Sequence, residues 1–415
     1  MKNKITMLSF FLMISFAGIA QVSKETLDGY LITAAENNPG LKAKFNDYMA
    51  AMEKVPQVGT LPDPQFAFGY FIMPVETRLG PQRAIFGLKQ AFPWFGLLRT
   101  REDVASDMAN AKYEEFENDK SNLYFEVKTA YYNFYFMEKA IQITKENMEI
   151  LRIFKNLSLV KIENGNASIV DELRVELELN DLENQLALFV DSKEVFQKKF
   201  NNLLNRGNLL KIEIPNELWQ EDLPFEKVAL LDSIYSNNHE IKRIDHKLNA
   251  FMNQEVAAKK EGLPKFNLGI NYIIVGKNPN SVDPNNGKDA LLFPSLGVSV
   301  PIYRRKYKGM IKEAQYLQAS EIAKKEDTRN TLSTVLSNSD KEFNDGERRI
   351  YLNKKQSEIA KKVLDVLITS YSTNSKDFEE VLRIERQLLG YRLAYQKAIT
   401  DKNAAVAFIN YLLGN

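Results

Sequence analysis

The 415-residue sequence has no cysteine and only two histidines, His239 and His246. Disulfides, a thiol nucleophile, a Cys/His metal site and a lipid-bearing N-terminal cysteine are thereby excluded. An excess of charge of one sign is also missing, since 55 basic residues face 54 acidic ones for a net charge of +1. Nucleic-acid binding rests on a basic excess against the phosphate backbone, so no such partner is expected. There is no glycine-rich phosphate loop and no Gly-x-Ser-x-Gly. Paired carboxylates such as Glu114–Glu115 and Glu379–Glu380 are adjacent and point apart on a helix, unlike a catalytic pair held across a cleft. The chain therefore reads as a non-enzyme with no cofactor and no metal site. No stretch after the first 20 residues reaches about 18 uninterrupted apolar residues, so passage through a bilayer would require a β-barrel.

What the chain does contain begins with an export signal. Lys2 and Lys4 precede an apolar run from Met7 to Ile19, which ends in Gly18-Ile19-Ala20 with small residues at the positions a signal peptidase reads. Residues 1–20 are expected to be a cleaved signal peptide, and the mature chain to start near Gln21.

Most of the remainder has helical periodicity. Leu123, Val127, Ala130, Tyr131, Phe134 and Met137 share one face, as do Leu173, Leu177, Leu182 and Leu186, and Val363, Leu367, Val381, Leu388 and Leu389 continue the pattern. Two stretches free of proline, about Trp94–Glu163 and Tyr303–Tyr371, predict helices on the order of 100 Å long with coiled-coil-like packing. Shorter helices are expected over Lys24–Val55 and Ser168–Asn205. Four segments instead alternate with period two, around Phe66–Met73, Arg83–Lys89, Phe266–Val275 and Ser295–Val300. Each has the length of a tilted transmembrane strand, and Pro/Asn/Gly-rich loops join them in pairs.

The two halves of the chain repeat one another. Asn38-Pro39-Gly40-Leu41-Lys42 parallels Asn238-His239-Glu240-Ile241-Lys242, and Leu61-Pro62 parallels Leu263-Pro264. Leu173-Arg174-Val175-Glu176 lies over Leu382-Arg383-Ile384-Glu385. The domain plan is residues 21–215 and 216–415, each reading helix, strand, strand, very long helix, tip, helix. The fold class is mainly α with a small transmembrane β part. Four strands cannot close a barrel with a lumen, whereas three copies supply twelve strands together with a helical barrel. A homotrimer is thus expected, with Arg83, Lys89, Asn267 and Asn271 facing the lumen and aromatic residues such as Phe66, Phe68 and Tyr272 facing outer-membrane lipid.

This layout resembles the TolC family of outer-membrane efflux proteins over essentially the whole mature chain. Leu61-Pro62-Asp63-Pro64-Gln65-Phe66, Pro74-Val75-Glu76-Thr77-Arg78 and Gln90-Ala91-Phe92-Pro93-Trp94-Phe95-Gly96 are similar to the branch paired with heavy-metal resistance-nodulation-division pumps. Many members of that branch are lipoproteins, and this chain has no cysteine to acylate. The resemblance implies a passive exit duct, with a periplasmic tunnel opened by an adaptor (membrane fusion protein) and an inner-membrane pump. It places adaptor-docking tip turns at Gly165, Asn166 and Ser168, and at Asn374, Ser375 and Asp377. Asp171 matches the family's tip aspartate and Glu380 is its counterpart in the second half. Glu172, Arg174, Glu176, Glu379 and Arg383 complete the gate candidates. Metal ions or small molecules are the first expected cargo, with an outlet for type I protein secretion or for drugs as the alternative. A periplasmic coiled-coil scaffold without a pore is the alternative of another class.

Overall fold

The architecture was analysed in a computed structural model, which describes residues 22–165, 167–224, 227–373 and 378–415. The expected signal segment 1–20 lies outside the described residues, as do Asn166, Asn374, Ser375 and Asp377 of the expected tips. The elements are α1 (Val22–Asn37), α2 (Pro39–Met52), α3 (Lys54–Gly59), β1 (Gln65–Val75), β2 (Gln82–Phe92), α4 (Leu97–Glu163) and α5 (Ile169–Leu203). They continue with α6 (Lys227–Asn237), α7 (His239–Glu261), β3 (Lys265–Val275), β4 (Ala290–Ser299), α8 (Arg304–Thr373) and α9 (Phe378–Leu412). The second half repeats the order of helices, strand pair, very long helix and closing helix, with two helices rather than three before its strands. No described helix is long and apolar enough to cross a membrane.

The long helices are as expected: α4 has 67 residues and α8 has 70, each about 100 Å at the usual rise. The opening segment differs, because three helices replace the single one expected over Lys24–Val55. Its break falls at Asn38-Pro39. Proline's missing N–H costs nothing in the first turn of a helix, and the Asn38 side chain accepts a bond from the Leu41 N–H at 3.1 Å, capping α2. The Asn38 Nδ2 donates to the carbonyl of Leu203, the last residue of α5, at 3.0 Å. Its counterpart Asn238 donates to the carbonyl of Leu412, the last residue of α9, also at 3.0 Å. The same bond is made in both halves.

Chain contacts divide the protein into two compact units, each drawing on both halves of the sequence. Unit 1 comprises residues up to Ala43, Phe116–His239 and Arg329–Asn415. One of its apolar clusters gathers Leu27, Leu31, Leu123, Val127, Tyr131, Phe200 and Leu204. A second gathers Leu151, Phe154, Val175, Leu182, Leu364, Phe378, Val381 and Leu388 from α4, α5, α8 and α9. Full burial stabilises each such side chain by about 1.5–3 kcal/mol. The irregular segment after α5 is pinned to this unit. The Tyr135 hydroxyl accepts from the Leu218 N–H, and Asn403 bonds both the Trp219 carbonyl and the Glu221 N–H.

Unit 2 comprises Lys44–Glu115 and Glu240–Thr328 and holds the sheet. The strands lie in the order β1-β2-β3-β4, every pair antiparallel. β4 begins at Ala290, earlier than expected. Pro294, which in sequence looks like a strand breaker, sits at a register irregularity between Gly269 and Asn271 of its partner strand, where a proline is tolerated. The two loops at the far ends of the hairpins bond each other, with the Gly276 N–H donating to Pro81 O at 2.7 Å and the Gly287 N–H to Leu79 O at 2.6 Å. Arg83 runs close beneath Gly276, where a β-carbon would lie 2.4 Å from its Nε and push the guanidinium aside. The position that needs glycine is Gly80, with φ +123 and a β-carbon that would lie 1.8 Å from the Gly276 carbonyl oxygen.

Candidate functional site

The helical tip of unit 1 is built by local chain chemistry. α4 ends at Glu163, and Gly165 turns the chain with φ +69, a conformation that costs glycine nothing. Ser168 then caps α5. Its hydroxyl accepts from the Val170 N–H at 3.2 Å, and the Asp171 carboxylate reaches back to the Ser168 N–H at 3.4 Å. This reciprocal capping box satisfies two N–H groups that a helix start leaves bare. The aspartate expected at the gate therefore also shapes the turn, and it stands 3.9 Å from Arg174.

The other candidates divide into two sets. Glu172 is buried within the first hairpin, where Lys155 on α4 holds it at 3.0 Å and Glu176 at 3.2 Å. Glu380 pairs along α9 with Arg383, whose Nε lies 2.9 Å from Oε2 and holds the carboxyl below its usual range. Arg174 and Glu379 join the two hairpins, at 3.0 Å.

The structure adds four further ties between the hairpins. Arg392 on α9 meets Glu146 on α4 at 2.6 Å, and this hydrogen bond lowers the carboxyl's pKa. Arg386 on α9 meets Glu178 on α5 at 3.2 Å, but burial there outweighs the guanidinium and raises the acid. Lys161 on α4 donates to the Tyr371 carbonyl on α8 and stands 4.0 Å from that ring's centre. The fourth tie is fully inside. Glu385 on α9 is 2% exposed, accepts from Asn147 Nδ2 of α4 at 2.5 Å, and leaves its other oxygen buried with no partner. Burial pushes this carboxyl up to about 7, against the pull of Arg392. A charged residue inside the apolar run Val381, Leu382, Ile384, Leu388, Leu389 was the signal that could have found it.

In unit 2 the strand register sorts the side chains into two faces. Phe66, Leu88 and Ile270 stand opposite one another, as do Phe68, Phe86 and Tyr272. Directly opposed residues share a face, so this one is apolar and aromatic. Phe66 and Phe68 are well exposed on it. The other face carries Ala67, Gly87 and Asn271 in one row and Gln65, Lys89, Gly269 and Ser295 in the next, with Asn267 opposite Ala91 and Gly297. Lys89, Asn267 and Asn271 therefore share the small, polar face. Arg83 lies beyond the regular ladder, beside Gly276.

No known family profile matches the chain. Over 228 residues it is 25% identical to toxin and drug export protein A of Aggregatibacter actinomycetemcomitans, a match covering 54% of this chain and 49% of that protein. The chain spans about half the length of that curated relative. Solved structures match much more of it. CusC superposes with a TM-score of 0.77 at 15% identity, over 94% of this chain and 92% of that one. The outer membrane protein VceC of Vibrio cholerae gives 0.76 at 13%, over 94% and 96%. The Neisseria gonorrhoeae MtrE outer membrane channel in its open state gives 0.75 at 17%, over 94% and 89%. With near-complete coverage on both sides, the chain has the fold of bacterial outer-membrane channels.

Proposed function

We propose that this chain is a TolC-family outer-membrane exit duct of a tripartite efflux system. It passes small molecules or metal ions from an inner-membrane pump and its adaptor to the outside, and makes no covalent step. The observation that carries this reading is the open sheet. β1 and β4 are long edge strands with unpaired backbone groups, and one face of the sheet is apolar and aromatic over most of its length. Hydrocarbon does not tolerate bare edges. With an even number of alternating strands, β4 of one copy meets β1 of the next antiparallel, so three copies close a twelve-stranded barrel without reversing the pattern. The polar face with Lys89, Asn267 and Asn271 then lines the lumen.

The tip cluster supplies the gate. Arg174–Glu379, Arg386–Glu178 and Arg392–Glu146 hold the two hairpins together, and docking of the adaptor at the Gly165–Ser168 turn would loosen them. Exposed pairs contribute only about 0–1 kcal/mol each, so the closed state needs several acting together. The name of the curated relative favours a second cargo, toxins or drugs, through the same duct. Single-channel conductance of the detergent-extracted protein tests the proposal. Small openings from a trimer, enlarged by Arg174→Ala, support it, and a non-conducting monomer overturns it. Metal and drug sensitivity of a deletion strain then separates the cargoes.

A further inference from the structure

The two junctions of unit 2 at which a strand gives way to a very long helix differ in charge. In the first half Trp94-Phe95-Gly96 leads into α4, where Arg99 and Arg101 are followed at once by Glu102 and Asp103. Arg101 is paired with Glu261 at 2.6 Å. In the second half Ile302-Tyr303 leads into Arg304-Arg305-Lys306-Tyr307-Lys308, and between Asp289 and Glu313 the chain carries five cations and no acid. The first turn of α8 accordingly holds no acidic residue. A helix start carries partial positive charge and favours anions, so cations there are unfavourable unless something negative lies against them. Arg304 is taken up by the Gly262 carbonyl at 2.8 Å, and Lys306 stands 5.7 Å from the centre of the Tyr307 ring. Arg305, Lys306, Lys308 and Lys312 are all exposed, and among the described residues none of the four is held in an ion pair. Arg305, Lys308 and Lys312 follow one another at intervals of three and four residues, so one helix face holds three like charges.

We propose that this basic stripe binds the anionic headgroups of membrane phospholipids, in the leaflet on the side from which α4 and α8 leave the sheet. The inference rests on the outer-membrane duct reading and names the class of lipid that its rim selects. Two observations single out a lipid from other anions. The first is level. Phe92, Phe266 and Val298 stand opposite one another and close the apolar face of the sheet at this end. Trp94 stacks on Phe266 with ring centres 6.0 Å apart, and Phe95 lies against both. Aromatic rings at the end of an apolar sheet face mark the boundary between hydrocarbon and headgroups. The second is the company the cations keep. Ile302 is 69% and Tyr303 79% exposed, directly ahead of Arg304 in the chain. A nucleic acid or a free phosphate would meet the charge and leave those side chains bare. A phospholipid covers both, its acyl chains on the apolar side and its phosphate beyond. From Arg305 to Lys312 the stripe rises about 10 Å along the helix, enough to reach through a headgroup layer of about 5–8 Å. Attraction of this kind grows with the negative charge of the leaflet and is screened by salt.

The chain carries its own reporter. Its two tryptophans are Trp94, beside the stripe, and Trp219, in unit 1, so Trp219→Phe leaves Trp94 as the one indole. The full-length Trp219→Phe protein is reconstituted into phosphatidylcholine vesicles that contain, at equal mole fraction, either phosphatidylglycerol or phosphatidylcholine brominated on the acyl chain close to the headgroup. Insertion is checked by flotation and by conductance. Brominated phosphatidylglycerol is expected to quench Trp94 severalfold more effectively than brominated phosphatidylcholine at low salt. High salt should abolish the difference, and so should Arg305→Gln/Lys306→Gln/Lys308→Gln; if that variant is not recovered folded, the salt comparison decides. An inserted, conducting protein that both lipids quench equally at low salt, that neither lipid quenches, or whose preference survives in the triple variant overturns the lipid site and leaves the duct standing. A protein that neither floats with the vesicles nor conducts overturns both.

Discussion

In the first hairpin Glu176 is half exposed and shares Lys155 with Glu172. In the second, Glu385 occupies the same place in the repeated quartet and is 2% exposed, with one oxygen unpartnered. The helices have equal lengths, 35 residues each, yet six residues of α5 are buried against seventeen of α9. The difference lies in the neighbours. α9 takes bonds from α4 through Asn147 and Glu146 and from α5 through Glu178 and Arg174, so more of its surface is covered. Duplication copies side chains but not their surroundings. The same carboxylate is a solvated counter-ion in one hairpin and a proton-binding group in the other.

The largest expected break in this comparison is at the helix starts. Phe378 is 1% exposed and packs on Tyr371 with ring centres 4.8 Å apart, whereas Ile169, its counterpart, is 57% exposed. Phe378→Ala should cost about 3–5 kcal/mol and Ile169→Ala no more than about 0.5 kcal/mol, read from thermal melts of the detergent-extracted protein. Equal losses would mean the hairpins are packed alike.

Next comes pH. The folded Glu385 carboxyl is raised to about 7 from an ordinary 4.5, so its contribution to stability is full below the unfolded value and lost as pH rises through 7. That amounts to on the order of 3 kcal/mol between acid and alkaline limits. The melting temperature should fall between pH 5 and pH 8, and Glu385→Gln should flatten the fall. A wild-type profile already flat would count against the buried acid.

Smaller effects sharpen the picture at the tip. Ser168→Ala removes the α5 cap and should cost about 1 kcal/mol, with faster amide exchange confined to the first turn. Arg174→Ala deletes an exposed pair and should change stability by less than about 1 kcal/mol. Its larger signature is expected in the open probability of single channels.

Much of this architecture was legible beforehand because its signals are periodic. The proline-free runs gave α4 and α8 nearly to the residue, and alternation gave the strands. Two features were not. Pro39 begins α2 where sequence reading ran a helix straight through, since a first-turn proline and an internal one look alike without the cap. Pro294 lies inside β4, because the irregular register there releases the bond its nitrogen could not make. At the tip, charge and the family resemblance singled out Asp171, Glu380 and their neighbours as candidates, but not which acids cross between hairpins. Glu146, Glu178 and Glu385 lie further up the helices, and only the packing of α9 against α4 and α5 brings out their partners. Asn147 and Glu385 are 238 positions apart, a pairing no local pattern encodes.

The threading of the chain through the two units has a consequence for biogenesis. Unit 2 draws on nothing beyond Thr328, whereas unit 1 needs the final segment Arg329–Asn415. Its earlier helices α1, α4 and α5 must therefore wait, apolar faces bare, until α9 is present to pack on them. Contacts of such long sequence separation are slow to form. The period of waiting is when the chain is most open to proteolysis and aggregation, and truncation near the C-terminus would leave the first half without its core partners.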